Sequence, residues 1–166
     1  MSRAVLSLGS NLGDRLRYLQ LAVDGFGAAV RAISPVYETE PWGVTDQPDF
    51  LNAVLVVESA DVDEWGWLRR GQELERAAER IREQRWGPRT LDVDVVAVDG
   101  VRSDHPDLLL PHPGTPRRAT VLIPWLDVDP GAVLPGHGPV AELLAALPAE
   151  DVRAVHPRPD LALTRG

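Results

Sequence analysis

Asp92 and Asp94 are the two residues whose type and spacing carry the most chemistry. They stand two apart in Leu91-Asp92-Val93-Asp94-Val95, an alternation that predicts a strand with both carboxylates on one face and the aliphatic residues on the other. Neighbouring carboxylates repel, so the pair must be solvated or neutralised by a divalent cation. Mg²⁺ held by carboxylate oxygens together with nucleotide phosphates is the common case. On spacing alone, the polar outer face of a half-exposed strand is the commoner reading, and the neighbours shift the weight. Arg85-Trp86-Gly87-Pro88-Arg89 lies immediately upstream and brings guanidinium forks suited to bidentate contact with phosphate oxygens. From Arg69 to Arg89 seven Arg stand against four Glu, a local +3 in a chain of net charge -8. Carboxylates, arginines and a Gly-Pro turn are the recurring parts of a phosphoryl-transfer site. A helix-end charge cluster would account for the same residues without chemistry.

Phe50 and Asn52 alternate onto one face of a second predicted strand. A ring and a carboxamide that both donates and accepts suit a flat heterocycle, although a core Phe beside a turn-facing Asn is the commoner arrangement. Gly9-Ser10-Asn11-Leu12-Gly13 resembles a phosphate loop only loosely, and a strand end followed by a helix cap explains it. The four His (His105, His112, His137 and His156) lack the i, i+4 spacing of a zinc site. His112, between two prolines and six residues before Arg118, is the one placed to reach a phosphate.

Composition narrows the classes. The chain has 166 residues, 44% of them hydrophobic, which predicts one globular domain over 1–166. With no Cys, disulfide frameworks, thiol nucleophiles and iron–sulfur ligation are excluded. Every cation is Arg and none is Lys, which excludes a Walker-type phosphate loop and Schiff-base chemistry. The acidic balance argues against nucleic acid and anionic membranes as partners. No apolar run reaches the length of a membrane helix and no signal-peptide pattern opens the chain, so a cytoplasmic monomer is expected.

The elements that must position these residues follow from periodicity. Ala4 to Leu8 predicts a buried strand. Leu12, Leu16, Leu19, Val23 and Phe26 predict a helix capped by Asn11 or Asp14 and ended by Gly27. Val30 to Tyr37 and Phe50 to Glu58 predict two strands joined by a long connection. Trp67, Gly71, Leu74, Ala78 and Ile81 mark one face of a second helix that fails near Gln84. Leu91 to Val98 is a strand turned by Asp99-Gly100 into Val101 to Ser103. This βαββαβ order predicts an α+β, ferredoxin-like fold, a mainly antiparallel sheet with both helices on one face. A Pro-rich C-terminal extension follows. It holds a helix opening at Thr115-Pro116, with Thr as cap, a short helix over Leu143 to Leu147, and a tail expected to be loose after Pro157.

The string Arg85-Trp86-Gly87-Pro88-Arg89-Thr90-Leu91-Asp92-Val93-Asp94 resembles the signature of the 6-hydroxymethyl-7,8-dihydropterin pyrophosphokinases of folate biosynthesis. Ser7 to Gly13, Ser34 to Thr39, Asp46 to Ala53, Leu110 to Pro113 and Leu122 to Trp125 resemble that family's other blocks in order and spacing, over roughly residues 4 to 147. The resemblance implies transfer of the β,γ-diphosphate of ATP to the hydroxymethyl oxygen of the dihydropterin, with release of AMP. It also implies two Mg²⁺ on Asp92 and Asp94. The pterin would meet Asn52, Phe50, Trp86 and the backbone around Thr39 and Trp42, while ATP would meet Gln72, Glu75, Arg89, His112 and Arg118. Arg80 and Arg82 would be the loop arginines closing over the phosphates. The chain departs from the family pattern at Thr120, where many members have a second stacking aromatic, and at Glu40, where Pro is frequent. It also departs in a stretch between Glu75 and Trp86 that is one residue shorter than in some members. The rival readings are a ferredoxin-like small-molecule-binding regulatory module without catalysis, an RNA-binding domain, and the same scaffold with altered acceptor specificity. Asp92 and Asp94 put negative charge on the strand where an RNA-binding domain would want contact.

Overall fold

A computed structural model describes residues 2–40, 49–81 and 90–165. Its main sheet is built from β1 (Ser2–Ser10), β2 (Val30–Ile33), β3 (Tyr37–Thr39), β4 (Phe50–Ser59), β5 (Asp92–Val98) and a late strand described below. β1 lies between β4 and β5 and is antiparallel to both, while β2 and β3 pair in succession with β4. The resulting order is that of a split βαβ, ferredoxin-like sheet, as the sequence predicts. Helices α1 (Arg15–Phe26) and α2 (Glu64–Ile81) cover one face.

Alternation in the strands divides the molecule into two layers. Leu6 and Leu8 of β1, Ala53 and Leu55 of β4, and Val93 and Val95 of β5 enter the core under α1 and α2. Val5, Val54 and Val96 face the other way, into a smaller core under α3 (Ala119–Val128). The helix face is tight: a Cβ on Gly71 of α2 would stand 2.9 Å from Val93 Cγ1. Only glycine lets α2 approach the strand that carries the two aspartates. Asp14 caps α1, accepting from the Arg17 N–H at 3.2 Å, and Gly27 ends it at φ 54°.

Several details differ from the sequence reading. The strand predicted over Val30 to Tyr37 is two strands, because Pro35 has no N–H to give the ladder. Ser34 bridges the gap: its N–H donates to the Val54 carbonyl at 2.9 Å, and its Oγ accepts from the Val54 N–H at 2.8 Å. The Asp99-Gly100 turn forms, with Val98 bridged to Val101. The strand after it, β6 (Ser103–His105), nevertheless pairs with β7 (Leu108–Leu110) rather than with β5. The Val96 carbonyl that would continue the hairpin is already taken by the His112 N–H at 2.8 Å. Thr115 does not cap a helix. Thr115–Arg117 is a single 3₁₀ turn, and α3 starts after Arg118.

The C-terminal part continues through β8 (Val133–Leu134), β9 (Gly138–Pro139), α4 (Val140–Ala145), α5 (Ala149–Arg153) and β10 (Val155–Pro157). β10 pairs antiparallel with β3 and forms an edge of the main sheet. Beyond Pro157, where a loose tail is expected, the chain is held. The Arg158 N–H donates to the Val36 carbonyl at 2.9 Å. Thr164 and the Gln20 side chain exchange two hydrogen bonds, and Leu163 is buried in the core of α1. The free edge of β3 and the outer side of α1 give the tail both backbone partners and apolar surface.

Candidate active site

The face of the sheet left open beside α3 brings together several of the residues whose types could do chemistry. Successive cross-strand rows run Thr39–Phe50, then Asn52–Gly9–Asp92, then Val54–Ser7–Asp94, with the β1 residue between the other two in each of the last two rows. A cavity of about 560 Å³ lies over these rows, lined among others by Thr39, Phe50, Asn52, Asp92, Asp94 and Arg118. That volume is in the range of small-ligand pockets. Asp92 and Asp94 therefore share a face, as their spacing predicts, while Val93 and Val95 between and beyond them are buried on the other side.

β5 is the edge strand here, and α2 holds that edge. The Glu75 carboxylate accepts from the Val93 N–H at 2.9 Å, and Thr90 Oγ1 donates to Glu79 at 3.1 Å. Glu75, expected to contact ATP, thus also fixes the backbone between the two aspartates. On the other side, an irregularity in register between Val5 and Leu6 leaves Val96 as the extra residue of β5. Its carbonyl receives the His112 N–H. Bulges of this kind re-aim side chains beside active sites, and this one sets His112 near Asp94 and Arg118. Burial holds the His112 imidazole below its usual range, against the pull of the Asp94 carboxylate and with the help of Arg118.

Asn52 is nearly buried, and its Nδ2 donates to Thr39 Oγ1 at 3.1 Å. A Cβ on Gly9 would come within 3.5 Å of Asn52 Oδ1. That bond fixes the carboxamide plane and leaves one N–H and the carbonyl oxygen for a ligand edge. α3 supplies the wall opposite the strands. Its place is set by Leu122 and Trp125 in the second core, and by the Tyr37 hydroxyl, which donates to Asp127. Burial, with the Asp127 carboxylate beside it, pushes Tyr37 up to about 12.

Behind Thr39, Glu38 joins three parts of the chain. It accepts from Arg15 at 2.6 Å and from Arg158 at 3.0 Å, and Arg15 also donates to the Asp49 carbonyl at 2.7 Å. Burial raises the Glu38 carboxyl, but the two guanidinium hydrogen bonds outweigh it and hold the group below the usual carboxylate range. A depressed carboxylate adds stability above its unfolded pKa, and that stability is lost as pH falls through the folded value. Thermal unfolding of the wild type should therefore weaken between about pH 5 and pH 3 more steeply than that of Glu38→Gln. Equal slopes would remove Glu38 as the coupling group.

Not every predicted site residue lines the cavity. Gln72 and Arg80 are exposed on α2, with Arg80 in its last turn, and Glu75 and His112 bond to the backbone of β5 without lining the cavity. Trp42, Arg82, Trp86 and Arg89 lie outside the described residues. Ser7 and Gly9 line the cavity without having been singled out as site residues, and Arg117 lines it beside Arg118. Ser7 and Gly9 carried a signal, being the small residues at alternate positions of an otherwise aliphatic strand. Among the described residues no group of three or more His, Asp or Glu forms a metal cage.

The comparisons with known proteins decide between the readings. The family model of 7,8-dihydro-6-hydroxymethylpterin-pyrophosphokinase matches residues 5–130. The chain belongs to that family. It is 49% identical over 176 residues to the 2-amino-4-hydroxy-6-hydroxymethyldihydropteridine pyrophosphokinase of Mycobacterium bovis, covering 97% of this chain and 94% of the relative. It is 40% identical to the protein of that name from Methylorubrum extorquens, over 93% of this chain and 99% of the relative. A Plasmodium falciparum HPPK-DHPS crystal structure superposes with a TM-score of 0.67 at 14% identity, over 87% of this chain. The chain spans 44% of the length of that structure, and at this identity the likeness shows the fold alone. Family membership makes the chain an enzyme, which removes the non-catalytic regulatory module and the RNA-binding domain as readings. Among the described residues no helix is long and apolar enough to cross a membrane.

Proposed function

We propose that this chain is the pyrophosphokinase of its family, transferring a diphosphate from ATP to 6-hydroxymethyl-7,8-dihydropterin in folate biosynthesis. The observation that carries the site assignment is one cavity holding a heterocycle-binding end, Phe50, Asn52 and Thr39, and an anion- and metal-binding end, Asp92, Asp94 and Arg118. The hydroxymethyl oxygen attacks the β-phosphorus and releases its proton. The bond from that phosphorus to the α,β-bridging oxygen breaks, and AMP leaves. Holding oxygen and phosphorus in line supplies most of the acceleration such a reaction needs.

Each residue then has a task. Phe50 stacks on the pterin, and Asn52, held by Thr39, reads its polar edge. Arg118, His112 and Arg117 supply donors and positive charge for the triphosphate. Arg89, with the loop arginines Arg80 and Arg82, adds to them, while Gln72 and Glu75 contact the nucleotide and Trp42 and Trp86 belong to the pterin side. Two aspartates on one face fit Mg²⁺, which takes one or two carboxylates and completes its shell with phosphate and water oxygens. Asp92 and Asp94 would hold two such ions, whose contribution is to neutralise charge on the phosphates. The chain is read as acting as a cytoplasmic monomer.

High-performance chromatography of nucleotides after incubation with ATP, Mg²⁺ and the dihydropterin tests the reading. Pterin-dependent AMP is expected, and ADP would mean ordinary γ-phosphoryl transfer. Thr120 lines the same cavity and offers no ring. Thr120→Phe should tighten acceptor binding by about 1 to 3 kcal/mol, the worth of one stacked base, as read by fluorescence titration. An unchanged affinity would mean that the second face of the pterin is already covered.

A further inference from the structure

The cavity has a wall that the family match does not include. The matched stretch ends at residue 130, yet Asp151, Ala154 and Val155 line the same space as Asn52 and Asp94. Their place follows from the sheet. Val155 is paired directly with Thr39, whose hydroxyl orients Asn52. The segment is fastened there by the Arg158 N–H on Val36 and by the Arg158–Glu38 ion pair at 3.0 Å. Along the strands, the row of Val155, Thr39 and Phe50 lies four residues from the row of Ser7 and Asp94. At strand rise that is about 13 Å. Asp92 lies two residues from that row, but β10 and β5 are opposite edges of the sheet, so these C-terminal residues stand at the heterocycle end of the cavity, across the sheet from the carboxylate pair. Among the described lining residues Phe50 is the only ring, so no second ring among them covers the other face of a flat ligand stacked on it.

We infer that the α5–β10 segment is part of the acceptor site, with Ala154 and Val155 as its apolar wall and Asp151 as the polar group at its edge, so that this segment sets which heterocycle fits. The inference rests on the proposed pterin-directed activity. Ala154 is the position to test, because it is half-buried, ends α5 in ordinary helical conformation and has no glycine-only backbone. Val155 is buried in the sheet edge, where a change would also disturb pairing.

The experiment measures AMP release with acceptor and ATP varied separately, for wild type, Ala154→Leu and Ala154→Trp, alongside thermal unfolding. The wall predicts that Ala154→Trp raises KM for the dihydropterin by about tenfold or more, with Ala154→Leu between it and the wild type. KM for ATP and the unfolding temperature should stay near wild type, because a filled pocket excludes only the ligand that occupies it. If Ala154→Trp fails to fold, Ala154→Leu carries the same comparison. An unchanged acceptor KM in a folded variant overturns the inference, as does an equal rise for ATP and acceptor. A wild type that releases no pterin-dependent AMP overturns the underlying activity and this inference with it, an outcome distinct from an active wild type with indifferent variants.

Discussion

Asp94→Ala should abolish diphosphate transfer while leaving the fold intact. The residue lies on the open face of β5, lines the cavity and sits beside Ser7, whereas its neighbours Val93 and Val95 carry the core contacts of that strand. Removing an outward carboxylate opens no core cavity, so unfolding temperature and circular dichroism should stay near wild type. The rate should fall by about 10³-fold or more, as expected when a carboxylate that would hold the charge-neutralising Mg²⁺ is removed. The variant should also lose the response of turnover to Mg²⁺ concentration. Turnover kept in a folded Asp94→Ala protein would end the assignment of this face to the metal and phosphates.

Asn52→Ala should act on the other substrate. The carboxamide is nearly buried, fixed by Thr39 Oγ1 at 3.1 Å, and set against Gly9, where no side chain intervenes. A ligand edge bonded to it loses a donor and an acceptor together when it is truncated. Each buried polar group left unpaired costs about 1–3 kcal/mol, so dihydropterin affinity should fall by roughly 10²-fold. Binding of a non-hydrolysable ATP analogue should change little. Isothermal titration with each ligand separates the two, and an equal loss for both would return Asn52 to a purely structural role.

What could be read in the chain, and what could not, follows from the range of the interactions involved. The two aspartates were legible because strand period 2 is a local rule, and the same rule placed Phe50 with Asn52. The βαββαβ core was legible because its helices and strands announce themselves by spacing and caps, as at Asp14 and Gly27. The break at Ser34-Pro35 was partly visible in the proline, but the way Ser34 doubles as donor and acceptor to Val54 needs the partner strand. The anchoring of His112 on the Val96 carbonyl depends on a bulge in β5 that has no local signature. The C-terminal wall was illegible for the same reason. β10 reaches β3 across most of the sequence, and a Pro-rich stretch gives no sign of which edge it will join. Arg158 and Leu163 look like tail residues until Glu38 and the flank of α1 are placed beside them.

Diphosphate transfer as a unit is tested by following the phosphorus atoms. The enzyme is incubated with dihydropterin, Mg²⁺ and ATP carrying label in the α- or the γ-phosphate, and the products are separated. Transfer of the β,γ-diphosphate as a unit puts the γ-label on the pterin and leaves the α-label in AMP, one AMP for each modified pterin. Label from the γ-phosphate on the pterin accompanied by ADP, or γ-label released as free phosphate with unmodified pterin, would exclude diphosphate transfer.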